Sequence, residues 1–179
     1  MNIRVFISRI LGSENYDRKV ERLIKKSIAL YHRGGKINRI RALRLHNYIR
    51  KNYNCCVPPR VTVGKNLYIA HGRGVNIGKT AIIGDNCRIY PECDIIASIV
   101  GDSELRAQGA TRWHAKIGND CIIGAHSVII GPIEIGDDVT IGAGAIVTKD
   151  VPPHSVVINT NQIRAKRPDE RKTRAASRN

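Results

Sequence analysis

Residues 115–151 read AKIGNDCIIGAHSVIIGPIEIGDDVTIGAGAIVTKDV, and an aliphatic side chain returns at every sixth position: Ile117, Ile123, Ile129, Ile135, Ile141 and Val147. The same beat runs earlier through Ile77, Ile83, Ile89 and Ile95, with a less regular pair of turns around Val63 and Ile69. Glycine directly follows several of these residues, at Gly78, Gly84, Gly118, Gly124, Gly136 and Gly142. Four places after each one stands a small or β-branched side chain, among them Ala81, Cys87, Cys93, Cys121, Ser127, Val139 and Ala145. A period of six fits neither a helix of 3.6 residues per turn nor the alternation of an ordinary strand. It fits a triangular coil with three short flat faces per turn, one aliphatic side chain pointing inward from each, and each turn burying its neighbour's ladder. The glycines are expected to supply left-handed backbone at the corners.

Working outward, the beat fails from about residue 97 to 114, ASIVGDSELRAQGATRWH, and resumes in register at Ile117. A polar loop expelled from a regular coil is expected to carry function. It ends in Arg112-Trp113-His114, with the only tryptophan of the chain beside a titratable ring. The second irregularity is Ile69-Ala70-His71-Gly72-Arg73-Gly74, where the phase slips by two residues. Gly72 and Gly74, close after His71, predict room for another molecule to approach the imidazole. Of the other histidines, His32 and His46 are expected on solvated helix faces, His126 at an outward corner, and His154 at the exit from the last turn.

Charge divides the chain in the same places. The 179 residues carry a formal net charge of +15, yet residues 61–162 are close to neutral, and the excess lies in residues 1–60 and 163–179. Residues 15–33 set Val20, Leu23, Ile24, Ile28 and Tyr31 at helical spacing, and Gly34-Gly35 follow as a stop. Residues 36–53 continue with Ile37, Ile40, Leu45 and Ile49, before NCCVPPR forces an extended exit. The reading is a basic helical segment over 1–56, a coil over 57–158 and a basic tail over 159–179. The segment is read as a packing arm, with contact to an anionic membrane surface as the sharper alternative. Nucleic acid is disfavoured, because no stacking aromatics accompany the charge.

Several classes are excluded or set aside. No apolar run approaches the roughly 18 residues of a membrane span, and the start, MNIRVFISRILGSEN, lacks the pattern of a secretory signal. Five cysteines without CxxC spacing argue against a disulfide framework or a zinc ribbon. Cys87, Cys93 and Cys121 fall at the small interior position and are assigned to the core. No zinc site is expected, since His71, His114 and His126 lie too far apart in sequence to match the two-histidine spacing of a metal-binding coil. The expected setting is a reduced cytoplasm, with the inner membrane face as a peripheral site.

The repeat resembles the hexapeptide-repeat acyltransferases, which form a left-handed parallel β-helix. In detail, PPRVTVGKNLYIAHGRGVNIGKTAIIGDNCRI, WHAKIGNDCIIGAHSVIIG and IEIGDDVTIGAGAIVTKDVPPHSVV are similar to the serine acetyltransferase branch, which includes short enzymes that acetylate capsule, exopolysaccharide or lipid-linked sugars. That resemblance implies an acetyl-CoA-dependent O-acetyltransferase, mainly β, with no metal and a homotrimeric assembly (a hexamer is the alternative). It places His71 on the catalytic histidine and His114 on the second active-site histidine, with Arg112 and Trp113 toward the acceptor. It places Gly142, Ala143, Gly144 and Lys149 in the stretch that contacts coenzyme A. Three departures from the branch bear on the acceptor. Cys56 stands where an aspartate orients the histidine, Ala70 where another aspartate serves the substrate, and Trp113 where an arginine precedes the second histidine. They point to a sugar hydroxyl as acceptor, with free serine as the alternative and a non-catalytic binding coil as the outsider.

Overall fold

A computed structural model describes residues 13–98, 107, 109, 112–158 and 162–165. The first twelve residues, most of the extruded loop, and residues 159–161 and 166–179 of the expected tail lie outside the described residues. Two helices lead into the coil: α1 (Ser13–His32) and α2 (Lys36–Tyr53). Gly34 and Gly35, at φ of 77° and 79°, turn the chain between them. Val20, Ile24 and Ile28 of α1 are buried, as its stripe predicted, whereas α2 buries Ala42, Ile49 and Tyr53 and leaves Ile37 and Ile40 of the expected stripe exposed. Ser27 lies between the helices and donates to the Ala42 carbonyl at 3.0 Å. No helix among the described residues is long and apolar enough to cross a membrane.

The coil lays fourteen short strands on three faces. The first face stacks β1 (Thr62–Val63), β4 (Ile82–Ile83), β7 (Lys116–Ile117) and β10 (Glu134–Ile135). The second stacks β2 (Tyr68–Ile69), β5 (Arg88–Ile89), β8 (Ile122–Ile123), β11 (Thr140–Ile141), β13 (Ser155–Ile158) and β14 (Gln162–Ala165). The third stacks β3 (Asn76–Ile77), β6 (Asp94–Ile96), β9 (Val128–Ile130) and β12 (Ile146–Val147). All neighbours are parallel except β13 and β14. That last pair carries the second face beyond residue 158, into the segment expected as tail. In each strand the ladder residue points in: Ile89, Ile123, Ile129 and Ile141 are wholly enclosed. Burying an isoleucine is worth about 1.5–3 kcal/mol, which makes this ladder the main stabilising element of the chain.

The corner chemistry differs from expectation in one respect. The glycines that follow the ladder residues do not have positive φ. They are required because a Cβ would strike the next coil: at Gly124 it would lie 2.6 Å from the Ala143 nitrogen, and at Gly84 2.6 Å from the Gly118 oxygen. The left-handed residues stand two places further on and form two columns. One is Asn66, Asn86, Asp120, Asp138 and His154; the other is Gly74, Glu92, His126 and Gly144, with left-handed His71 in the two-residue slip just before it. Asn and Asp tolerate this region best among residues with side chains, and they fill most of the first column. His71, left-handed and outside both columns, is the position where a functional reason has to be sought.

Candidate active site

The second column is the edge between the second and third faces, and His71 lies in the irregular corner at its head, between β2 and β3. Its φ is 54° and its side chain is exposed. The glycines beside it do not open a path for another molecule, as the sequence suggested. Gly72 makes room for Val20 of α1, whose Cβ would lie 2.7 Å from an added methyl, and Gly74 makes room for the Glu92 carboxylate. The Cys55 thiol donates to the Gly72 carbonyl at 2.8 Å. Burial pushes that thiol's pKa up, with the charge of Glu92 adding to the shift and hydrogen bonds from the Val75 and Gly74 backbone opposing it, which keeps Cys55 a protonated donor. His71 is therefore mounted on backbone wedged between the helical segment and the coil.

The opposite edge of the third face holds the other histidine. His114 closes the extruded loop and is nearly enclosed, at 8% exposure. Its ring lies over Gly78, in the space a side chain there would occupy. Nδ1 and the Thr80 hydroxyl share a hydrogen bond at 2.6 Å, and the same hydroxyl accepts the Trp113 N–H at 3.1 Å. The Arg112 guanidinium donates to the carbonyls of His114 (2.9 Å) and Ile133 (3.0 Å) and pairs with Glu134 at 3.2 Å, fixing the loop exit to the first face. The Lys79 ammonium stands 5.6 Å from the centre of the Trp113 ring, within cation–π range.

Between the two edges runs the outer surface of the third face. A cavity of about 460 Å³ there is lined by Cys56, Asn76, Gly78, Asp94 and His114, with Ile77, Ile95, Ile96 and Ala97. Cys56 and Asn76 are paired across adjacent coils, and the Asn76 amide donates to the Asp94 carboxylate at 2.8 Å. His71 does not line this cavity. Asp94 is the residue the sequence reading missed: its position is an ordinary outward one in the repeat, and only the stacking of coils sets it beside His114. Further down the same edge, Gly144 lies three coils from Gly74, about 14 Å at roughly 4.8 Å per coil, with open space around it. Gly142 and Ala143 enter that corner, whereas Lys149 lies exposed on the edge that also carries His114.

The remaining histidines sort as follows. His126 is exposed at its corner, and His154 pairs with Asp138 at 3.0 Å beyond the last turn. His32 is exposed and its Nε2 contacts the Val61 carbonyl at 3.2 Å. His46 departs from the expected solvated face: it is half-buried against Pro58 and Pro59. Among the described residues no cluster of three or more metal-ligating side chains occurs.

Residues 114–149 match the family described as bacterial transferase hexapeptide (six repeats). The solved coils most like this one include serine acetyltransferase from Neisseria gonorrhoeae, with a TM-score of 0.69, 29% identity, and 82% of this chain and 54% of that one covered. Soybean serine acetyltransferase gives 0.66 with 30% identity, covering 81% and 56%. The parallel coil of three faces is thus similar to the left-handed β-helix of these serine acetyltransferases. Among curated relatives, serine acetyltransferase of Mycobacterium tuberculosis is 39% identical over 103 residues, 57% of this chain and 41% of its own length. That of Helicobacter pylori is 35% identical over 104 residues, 58% and 56% respectively. The chain thus spans about half the length of the relatives it matches.

Proposed function

We propose that the chain is an acetyl-CoA-dependent O-acetyltransferase whose site is completed by a second copy. The observation that carries this reading is that His71 and His114 stand on opposite edges of one face. If three prisms gather with their third faces toward a common axis, the His71 edge of each abuts the His114 edge of the next. The same packing joins Gly142, Ala143 and Gly144 of one copy to Lys149 of another, giving a groove for the donor. It also covers Ile96 and Ile146, which are 41% and 49% exposed in the single chain.

In the reaction, neutral His71 takes the proton of the acceptor hydroxyl as its oxygen attacks the thioester carbonyl. The carbon–sulfur bond then breaks, the imidazolium returns the proton to the leaving thiolate, and an O-acetyl ester and free coenzyme A result. A histidine suits both halves because its ordinary pKa lies near working pH, and such proton transfer is typically worth about 10²–10⁴-fold.

Free serine is the acceptor that the comparisons favour. Asp94, lining the His114 cavity, offers a carboxylate for its ammonium group. A sugar hydroxyl is the second reading, supported by Cys56, Ala70 and Trp113 in place of two aspartates and an arginine. Incubating the full chain with acetyl-CoA and, separately, L-serine, nucleotide sugars and acidic oligosaccharides, while following thiol release, separates the two. Serine-dependent release supports the first reading and sugar-dependent release the second. No release with any acceptor overturns the enzymatic proposal.

A further inference from the structure

A pocket unrelated to the stacked histidines lies where the helices meet the coil. Its volume is about 480 Å³, and it is lined by Tyr31 of α1, Arg39, Leu43 and His46 of α2, the Pro58–Arg60 bridge, and Lys79. Two guanidinium groups converge on one ring: the Arg39 and Arg60 carbons lie 5.7 and 6.0 Å from the centre of Tyr31. Arg60 Nε also donates to the Tyr31 hydroxyl at 2.8 Å. That contact uses one of the five donors of the guanidinium. Among the described residues the lining contains three fixed cations and no carboxylate. Its remaining walls are the hydrocarbon of Leu43 and the rings of Pro58 and Pro59.

The Arg39 and Arg60 guanidinium groups repel each other, and an anion bound between them relieves that repulsion. A planar guanidinium binds a phosphoryl group through two parallel N–H bonds, and the Tyr31 hydroxyl holds Arg60 in place in advance. We propose that this pocket binds a phosphate-bearing molecule with a small apolar body, the phosphoryl group held by Arg39, Arg60 and Lys79 and the body resting on Leu43, Pro58 and Pro59. The site stands on its own lining and does not depend on the transfer reaction. A soluble phosphomonoester and a lipid headgroup present the same chemistry, and the experiment tells them apart.

The single tryptophan is the reporter, because Lys79 serves the pocket and stands over the Trp113 ring. Trp113 emission is followed in the full chain titrated with phenyl phosphate, with inorganic phosphate and with phenol. Sedimentation with phosphatidylglycerol vesicles provides the lipid arm. The expected result is saturable binding of phenyl phosphate at least tenfold tighter than of phosphate or phenol, weakened at least tenfold in Arg39→Gln/Arg60→Gln. Both arginines are exposed and the melting temperature of that variant is measured alongside. Vesicle binding that the variant also abolishes assigns the site to a lipid headgroup; its absence, with phenyl phosphate bound, assigns a soluble ligand. Phenyl phosphate affinity equal to that of phenol, or unchanged in the folded variant, overturns the proposal, as does vesicle binding alone that the variant leaves intact.

Discussion

Val20 occupies the space that a side chain on Gly72 would need, its Cβ 2.7 Å and its Cγ1 2.8 Å from the position of an added methyl. The first helix is thus seated one residue from His71. Gly72 also has a φ of 33°, which side-chain-bearing residues rarely adopt. Gly72→Ala should therefore cost about 1–3 kcal/mol by overpacking. The closest atom is the Val20 Cβ, which alanine would keep, so it is Val20→Gly in the same chain that should relieve the clash. Urea unfolding of the two single variants and the double variant measures this. A coupling of about 0.5–3 kcal/mol is expected for residues in such contact; strictly additive losses would show that the helix does not bear on this corner.

His71 is left-handed, so its replacement needs care. Alanine there would combine loss of the imidazole with backbone strain, whereas asparagine accepts φ near 54°. His71→Asn should lower thiol release from acetyl-CoA about 10²–10⁴-fold while leaving the melting temperature within a few degrees. Retention of most activity would remove His71 from the mechanism.

The Thr80 hydroxyl joins two neighbours, sharing a hydrogen bond with His114 and accepting one from the Trp113 backbone. Valine keeps the shape and removes both. Net loss of a hydrogen bond in a protein costs about 1 kcal/mol, more when a buried group is left unmet. Thr80→Val should lower kcat/KM for the acceptor roughly tenfold, and Thr80→Ser should restore most of it. Equal effects of serine and valine would indicate that the methyl group, not the hydroxyl, positions the ring.

The coil could be read from the sequence because its information is periodic: Ile117 to Val147 repeat one environment, and the small residues between them fill one interior position. The reason for the glycines could not. Gly124 and Gly74 look alike in sequence, but the first answers to backbone one coil away and the second to the Glu92 side chain. Likewise, His71 and His114 stood out by the interruptions around them, whereas Asp94 has no such local mark. Its place beside His114 depends on which coil stacks on which. The seating of His46 was also hidden, since its partners, Pro58 and Pro59, lie beyond the end of its own helix.

The two kinds of glycine separate experimentally. A methyl at Gly124 would meet the Ala143 nitrogen at 2.6 Å and the Ile141 oxygen at 2.7 Å, both main-chain atoms that cannot turn aside. At Gly144 a methyl meets nothing within 4 Å, and only its φ of 69° is unfavourable. Gly144→Ala should therefore cost about 1–2 kcal/mol, the penalty of left-handed backbone. Gly124→Ala should cost more than that, because the coil must shift. Thermal unfolding of both variants tests the order, and a Gly144→Ala loss equal to or larger than that of Gly124→Ala would contradict the stacking described.

His46 gives the chain a pH dependence whose sign follows from its surroundings. Burial lowers its pKa below the usual histidine value, the positive charge of Arg50 lowers it further, and a hydrogen bond with the Val57 backbone opposes them. The cations of Arg39, Arg60 and Lys79 line the same pocket. The unfolded chain therefore takes up this proton more readily than the folded one. Stability from neutral His46 is present above about pH 6.5 and falls as the pH drops toward the lowered folded value. Between pH 7.5 and 5.5 the urea midpoint of the wild-type chain should fall further than that of His46→Gln, which has no proton to gain there. Parallel falls in the two proteins would place the acid sensitivity elsewhere.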